Sequence, residues 1–186
     1  MNRSMLVLAA FAAALLLPAA AAAKGPSEAS ISGGGLAKTI KITGNGESDQ
    51  TPLGQMTFDA GFFPAAFGQS PDPMLHARPK GNLGPKMTIH YVVPGGDSQT
   101  FYVTQDLYLY APGGAVTYMK PNQPIFGMAT IGGWYRAYGL KRTLVKQGLP
   151  AQPATTGSSR SNLALLAIPG ALLVGGTALF LKRRRS

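Results

Sequence analysis

The sequence predicts a mainly β domain, a small antiparallel sheet or sandwich with one short C-terminal helix, followed by a single C-terminal transmembrane helix. Three observations predict it. Runs of β-branched and aromatic residues between positions 87 and 119 are separated by Pro-Gly-Gly turns. Residues 162–181 are an unbroken stretch without a charged side chain. Lys182, Arg183, Arg184 and Arg185 follow it at once.

Taken in order, residues 1–23 have the pattern of an export signal. Arg3 supplies the positive start, an apolar run follows, Pro18 breaks the helix, and Ala21-Ala22-Ala23 offers small side chains to a signal peptidase. An uncleaved anchor is the alternative, and it leaves the orientation of the chain unchanged. Residues 24–149 then form the extracytoplasmic domain. Within it Ser30-Ile31 and Thr39-Ile40-Lys41-Ile42 are expected to make a hairpin across Gly33-Gly34-Gly35. Residues 43–85, rich in Gly, Pro and Asn, are expected to be long loops with one or two short strands, held by Phe58, Phe62, Phe63 and Phe67.

The strands come next. Met87-Thr88-Ile89-His90-Tyr91-Val92-Val93 turns at Pro94-Gly95-Gly96-Asp97. A second run lies from Thr100 to Tyr110, and Pro112-Gly113-Gly114 turns the chain into Val116-Thr117-Tyr118-Met119. The expectation is a three-stranded meander. Alternation in the second run places Phe101, Val103, Leu107 and Leu109 on one face and Tyr102, Thr104, Asp106, Tyr108 and Tyr110 on the other. Residues 139–150 read as a short amphipathic helix with Leu140, Leu144 and Val145 on its apolar side, Gly148 at its end and Pro150 as a stop.

Residues 150–161, rich in Pro, Ser, Thr and Gly, make a flexible stalk. The stretch 162–181 is then long enough for the transmembrane helix, since at about 1.5 Å per residue it spans the ~30 Å hydrocarbon core. A core helix of a soluble protein would show a polar face, which this one lacks. Lys182, Arg183, Arg184 and Arg185 act as the stop-transfer signal and keep residues 182–186 cytoplasmic. The small residues Ala167, Ala171 and Gly175 share a helix face, a spacing that permits helix pairing but that an alanine-rich chain also produces by composition.

The formal charge of +10, from 17 basic and 7 acidic residues, invites a nucleic-acid reading. Its distribution removes that reading. Arg3 belongs to the leader and four cations to the tail, so the outer part has twelve scattered basic residues against all seven acidic ones. The partners expected are therefore the lipid bilayer and a cell-wall polymer or another surface protein, with no nucleic acid. The absence of cysteine excludes disulfides, thiolate catalysis and Cys-ligated metals.

Chemistry is sparse. Of two histidines, His90 lies in a strand; His76 stands near Asp72, but two ligands are too few for a metal site. Neither a cofactor nor a metal is expected, and no catalytic residue is assigned. An exported hydrolase would draw its carboxylates from Asp59, Asp72, Asp97 and Asp106, yet nothing singles out two of them. Asp97 is more simply a turn residue, and Trp134 a core residue.

The best candidate surface is the aromatic face carrying Tyr102, Tyr108 and Tyr110, where rings can stack on sugars or anchor a protein. The plainer expectation is that the helix or the Phe-rich loops cover this face and complete a core. The function expected is a binding or structural role at the cell surface, by a single-pass protein whose domain lies outside the cell membrane.

Two resemblances add to this. Pro153-Ala154-Thr155-Thr156-Gly157, followed by an apolar helix and a basic tail, resembles the cell-wall sorting signals read by sortases of Gram-positive bacteria. Ala154, Thr156 and Gly157 fit the pattern Leu-Ala-x-Thr-Gly, whereas Pro153 departs from it. The resemblance implies cleavage between Thr156 and Gly157 and location in the cell wall. The run from Gln105 through Gly114, Val116-Thr117-Tyr118, Gly132-Gly133-Trp134-Tyr135 and the closing Leu144-Val145…Gly148-Leu149-Pro150 resembles a group of exported, C-terminally anchored actinobacterial proteins. That resemblance implies a high-GC Gram-positive source and brings no activity with it.

Overall fold

A computed structural model describes residues 25–96 and 98–153. The leader, Asp97, the sorting-like motif, the apolar stretch 162–181 and the basic tail lie outside the described residues. Among the described residues no helix is long and apolar enough to cross a membrane.

The domain is mainly β. Six strands form one antiparallel sheet in the order β2-β1-β3-β4-β5-β8: β1 (Glu28–Gly33), β2 (Ile40–Thr43), β3 (Met87–Pro94), β4 (Thr100–Tyr108), β5 (Ala115–Met119) and β8 (Gly133–Ala137). A small hairpin of β6 (Pro124–Ile125) and β7 (Met128–Ala129) stands between β5 and β8. The expected hairpin β1–β2 and the meander β3–β4–β5 are both present. The architecture is a single sheet rather than a sandwich, because helices supply the second layer.

There are three helices among the described residues where one was expected. α1 (Pro52–Asp59) and α2 (Phe62–Phe67) occupy the segment expected to be loops, and α3 (Leu140–Lys146) is the expected C-terminal helix. α1 forms because Thr51 caps it, its hydroxyl accepting from the Gly54 amide at 3.0 Å, while Pro52 fits the first helical position. Leu53, Met56 and Ala60 then bury one face. In α3 the buried side is Leu140, Thr143 and Leu144, and Val145 turns to solvent. Thr143 is buried because its hydroxyl donates to Asp59 Oδ2 at 2.6 Å, which ties α3 to the end of α1.

All three helices pack on the same face of the sheet. Ile31, Met87, Ile89, Tyr91, Val103, Leu107 and Met119 form its inner surface, alternating along each strand as a half-buried sheet requires. The phenylalanines cluster against it: Phe62 lies 4.8 Å from the Tyr91 ring, and Phe101, Phe126 and Phe67 form a chain with centroids 5.1 and 6.1 Å apart. A buried polar clamp fixes the layers. The Tyr91 hydroxyl donates to Gln105 Oε1 at 3.0 Å, Gln105 Nε2 donates to the Ala60 carbonyl at 3.0 Å, and Thr117 Oγ1 donates to the same carbonyl at 2.8 Å. The carbonyl that ends α1 is thus held by two strands, and every buried polar side-chain atom among the described residues is satisfied.

Candidate functional site

The alternation that buries one face leaves a second, outer face with no helix on it. Strand register assigns its residues. Lys41, Ser30, His90 and Thr104 lie opposite one another across β2, β1, β3 and β4; Thr88, Asp106, Tyr118 and Trp134 make the next row across β3, β4, β5 and β8. Val92 and Tyr102 form a pair on the other side of the His90 row.

One end of this face is covered. The chain from Leu75 to Lys86 crosses it as a strap. The Leu75 amide donates to the Trp134 carbonyl at 2.7 Å at the sheet edge, and the Arg78 guanidinium lies 5.9 Å from the Trp134 ring centre. Leu83 packs with Ala111 and Val116 beneath Tyr108 and Trp134. Lys86 then pairs with Asp106 at 3.3 Å. The cover differs from the expectation, since neither α3 nor the phenylalanines approach this side.

The sequence-derived residues separate. Tyr102 stands on the open part, 71 % exposed. Tyr108 is half-buried at the strap, 6.0 Å from the Trp134 ring. Tyr110 lies beyond the end of β4, where its hydroxyl donates to the Pro150 carbonyl at 2.8 Å and Lys141 lies 5.4 Å from its ring centre; burial raises its phenol above the ordinary range. Tyr102 and Tyr108 therefore share the outer face, while Tyr110 joins the body of the domain to α3. Ala154, Thr156, Gly157 and the cations Lys182, Arg183, Arg184 and Arg185 lie outside the described residues.

Two rings that sequence reasoning did not select belong to the outer face. Trp134 is half-buried there rather than in the core, with Tyr118 at 4.5 Å between centroids and rings inclined by 30°. Beside Tyr118 is a cavity of about 170 Å³ lined by Thr104, Asp106, Tyr118 and Lys120. Gln123 holds the wall of this cavity in place. Its amide accepts from the Thr104 backbone N–H at 2.7 Å and donates to the Thr104 carbonyl at 2.8 Å, continuing the sheet past the end of β5 with a side chain. The signal for Tyr118 was in the sequence, because Val116 and Tyr118 alternate with Thr117 and Met119. The signal for Trp134 was not, because β8 is short and opens on the second of two glycines.

No known family, curated protein or solved structure matches this chain.

The remaining chemistry is dispersed. Asp59 lies on the helical side with Thr143, while Asp106 is on the outer face, so the sheet stands between these two carboxylates. Asp72 and His76 both line a cavity of about 410 Å³ at the end of α2, with Met74, Leu75 and Ile131. Among the described residues no three His, Asp or Glu side chains gather as a metal site would need.

Proposed function

We propose that this protein is a membrane-anchored extracytoplasmic binding domain that presents the uncovered part of its outer sheet face to a partner at the cell surface. One observation carries the reading: the sheet is backed by helices on one side only, and the other side carries the Tyr118–Trp134 stack, the exposed Tyr102 and the cavity beside Lys120. A sheet whose role was purely structural would gain stability by covering Tyr102 and closing that cavity, as the strap covers Trp134 at the other end. The anchor and its orientation rest on the apolar stretch 162–181 and the cations after it. A cell-wall polymer is the partner this location favours.

A second reading has a specific observation in its favour. Ala154, Thr156 and Gly157 stand where a sortase would need them, and cleavage there would transfer the domain from membrane to wall. Cell fractionation separates the two. The membrane reading expects the chain in the detergent-soluble membrane fraction, with a mass that includes Arg185. Release by muramidase of a chain ending at Thr156 establishes the wall-linked form instead.

A further inference from the structure

The charge of the domain is divided unevenly between its two sides. The described residues carry ten basic and six acidic side chains. The outer face and the strap across it hold Lys41, Arg78, Lys80, Lys86, Lys120 and Arg136, against only Glu28 and Asp106. The rest of the described residues hold four basic and four acidic side chains. All of the positive excess is therefore on the side that lacks a second layer.

The two acids of this side are both engaged, Glu28 with Lys41 at 2.8 Å and Asp106 with Lys86 at 3.3 Å. Lys120 has no carboxylate partner among the described residues, and it lines the cavity together with Tyr118. A cation beside an aromatic wall, with the Thr104 hydroxyl and a carboxylate within the same cavity, is suited to a sugar ring that carries an acidic group. The ring packs on the tyrosine, hydroxyls bond to Thr104 and Asp106, and the anion meets Lys120.

The row leading away from the cavity has matching chemistry. Thr104, His90, Ser30 and Lys41 lie side by side across four strands. With strands about 4.8 Å apart, the path from Lys41 to Lys120 is about 19 Å, enough for several linked sugars in extended form. Tyr102 flanks the row on one side, and Asp106 and Tyr118 on the other. An anionic bilayer surface would satisfy the cations, but it would leave the cavity and the polar row of Ser30 and His90 without a role.

We infer that the outer face binds an acidic glycan, a linear chain of sugars bearing carboxylates, with the Thr104–Asp106–Tyr118–Lys120 cavity as the subsite for an acidic unit. The inference rests on the proposed role of this face and adds the chemical class of the partner. Trp134 is the sole tryptophan of the chain and stacks on Tyr118, so its fluorescence reports on the subsite. The test titrates the full-length protein in detergent with an oligogalacturonate, with neutral chitotetraose and with phosphatidylglycerol vesicles, followed by Trp134 emission and by calorimetry. The oligogalacturonate is expected to bind saturably and to weaken with salt. Lys120→Glu, at an exposed position that the fold does not need, is expected to weaken it about tenfold or more. Equal binding of chitotetraose, with no effect of Lys120→Glu, would overturn the acidic class and leave the open-face reading standing. Binding to the vesicles alone, or to none of the three, would overturn glycan recognition by this face altogether.

Discussion

At the scale of single residues, the fold depends on a few buried polar side chains whose only partners are other protein groups. Gln105 is the central one, since it accepts from Tyr91 and donates to the end of α1. Gln105→Leu leaves the Tyr91 hydroxyl without an acceptor and the Ala60 carbonyl with Thr117 alone. The expected loss is about 2–3 kcal/mol, measured by urea unfolding. Tyr91 also makes stability depend on pH. Full burial pushes its phenol far above the ordinary value of 10.0. The unfolded chain therefore gives up this proton near pH 10 while the folded chain keeps it. The contribution is complete below about pH 10 and is lost as pH rises beyond it, by up to about 1.4 kcal/mol per pH unit. Tyr110 and Tyr135, also raised by burial, act in the same direction. Unfolding free energies measured at pH 9 and pH 11 should fall less in Tyr91→Phe than in the wild type. An equal fall in both would remove Tyr91 as the cause. Gln105 lies two residues from both Val103 and Leu107, so the face it shares with them was legible; its partner at the end of α1, 45 residues away, was not.

At the scale of elements, β1 to β5 were legible, while the short β6, β7 and β8 and two of the helices were not, for a physical reason. In β3 and β4 the period-two alternation runs over eight and nine residues. α1 and α2 have only eight and six residues, too few for the helical period to stand out among the flanking glycines and prolines. The start of α1 was nonetheless written in Thr51-Pro52, a cap followed by the one position where proline favours a helix. α2 depends on tertiary contact. It begins at Gly61, whose φ of +67° is left-handed and whose missing side chain admits the Tyr135 ring. Gly61→Ala should cost at least about 2 kcal/mol, because backbone strain and a clash with Tyr135 add together. Gly81, with φ of +86° and no atom within 4 Å, isolates the first of these effects. Gly81→Ala should cost about 1 kcal/mol. Equal losses in a thermal unfolding comparison would show that Tyr135 does not determine the turn.

At the scale of the whole molecule, the decisive feature is the asymmetry of its domain: one face of the sheet is built into a core, and the other carries rings, hydroxyls and the positive excess of the described residues. The alternation that creates two faces was readable along each strand. Which face the helices would take was not, because both faces of β4 carry aromatic residues, Phe101 on one and Tyr102 and Tyr108 on the other. The charge pattern was hidden for a related reason. Arg78, Lys80 and Lys86 are scattered through a strap that lies on the same side of the sheet as Lys120 and Arg136 only once folded, so the sequence showed dispersed cations where the fold makes a basic face.

The central claim is that this face is both uncovered and outside the cell, and the missing cysteines make it directly measurable. Tyr102→Cys places the only thiol of the chain on the open part of the face, at a position 71 % exposed. Intact cells expressing this variant are treated with a membrane-impermeant maleimide, before and after permeabilisation. The account predicts full labelling in intact cells, with no increase on permeabilisation. Labelling only after permeabilisation would place the domain on the wrong side of the membrane, and a thiol that reacts only after denaturation would show that the face is covered.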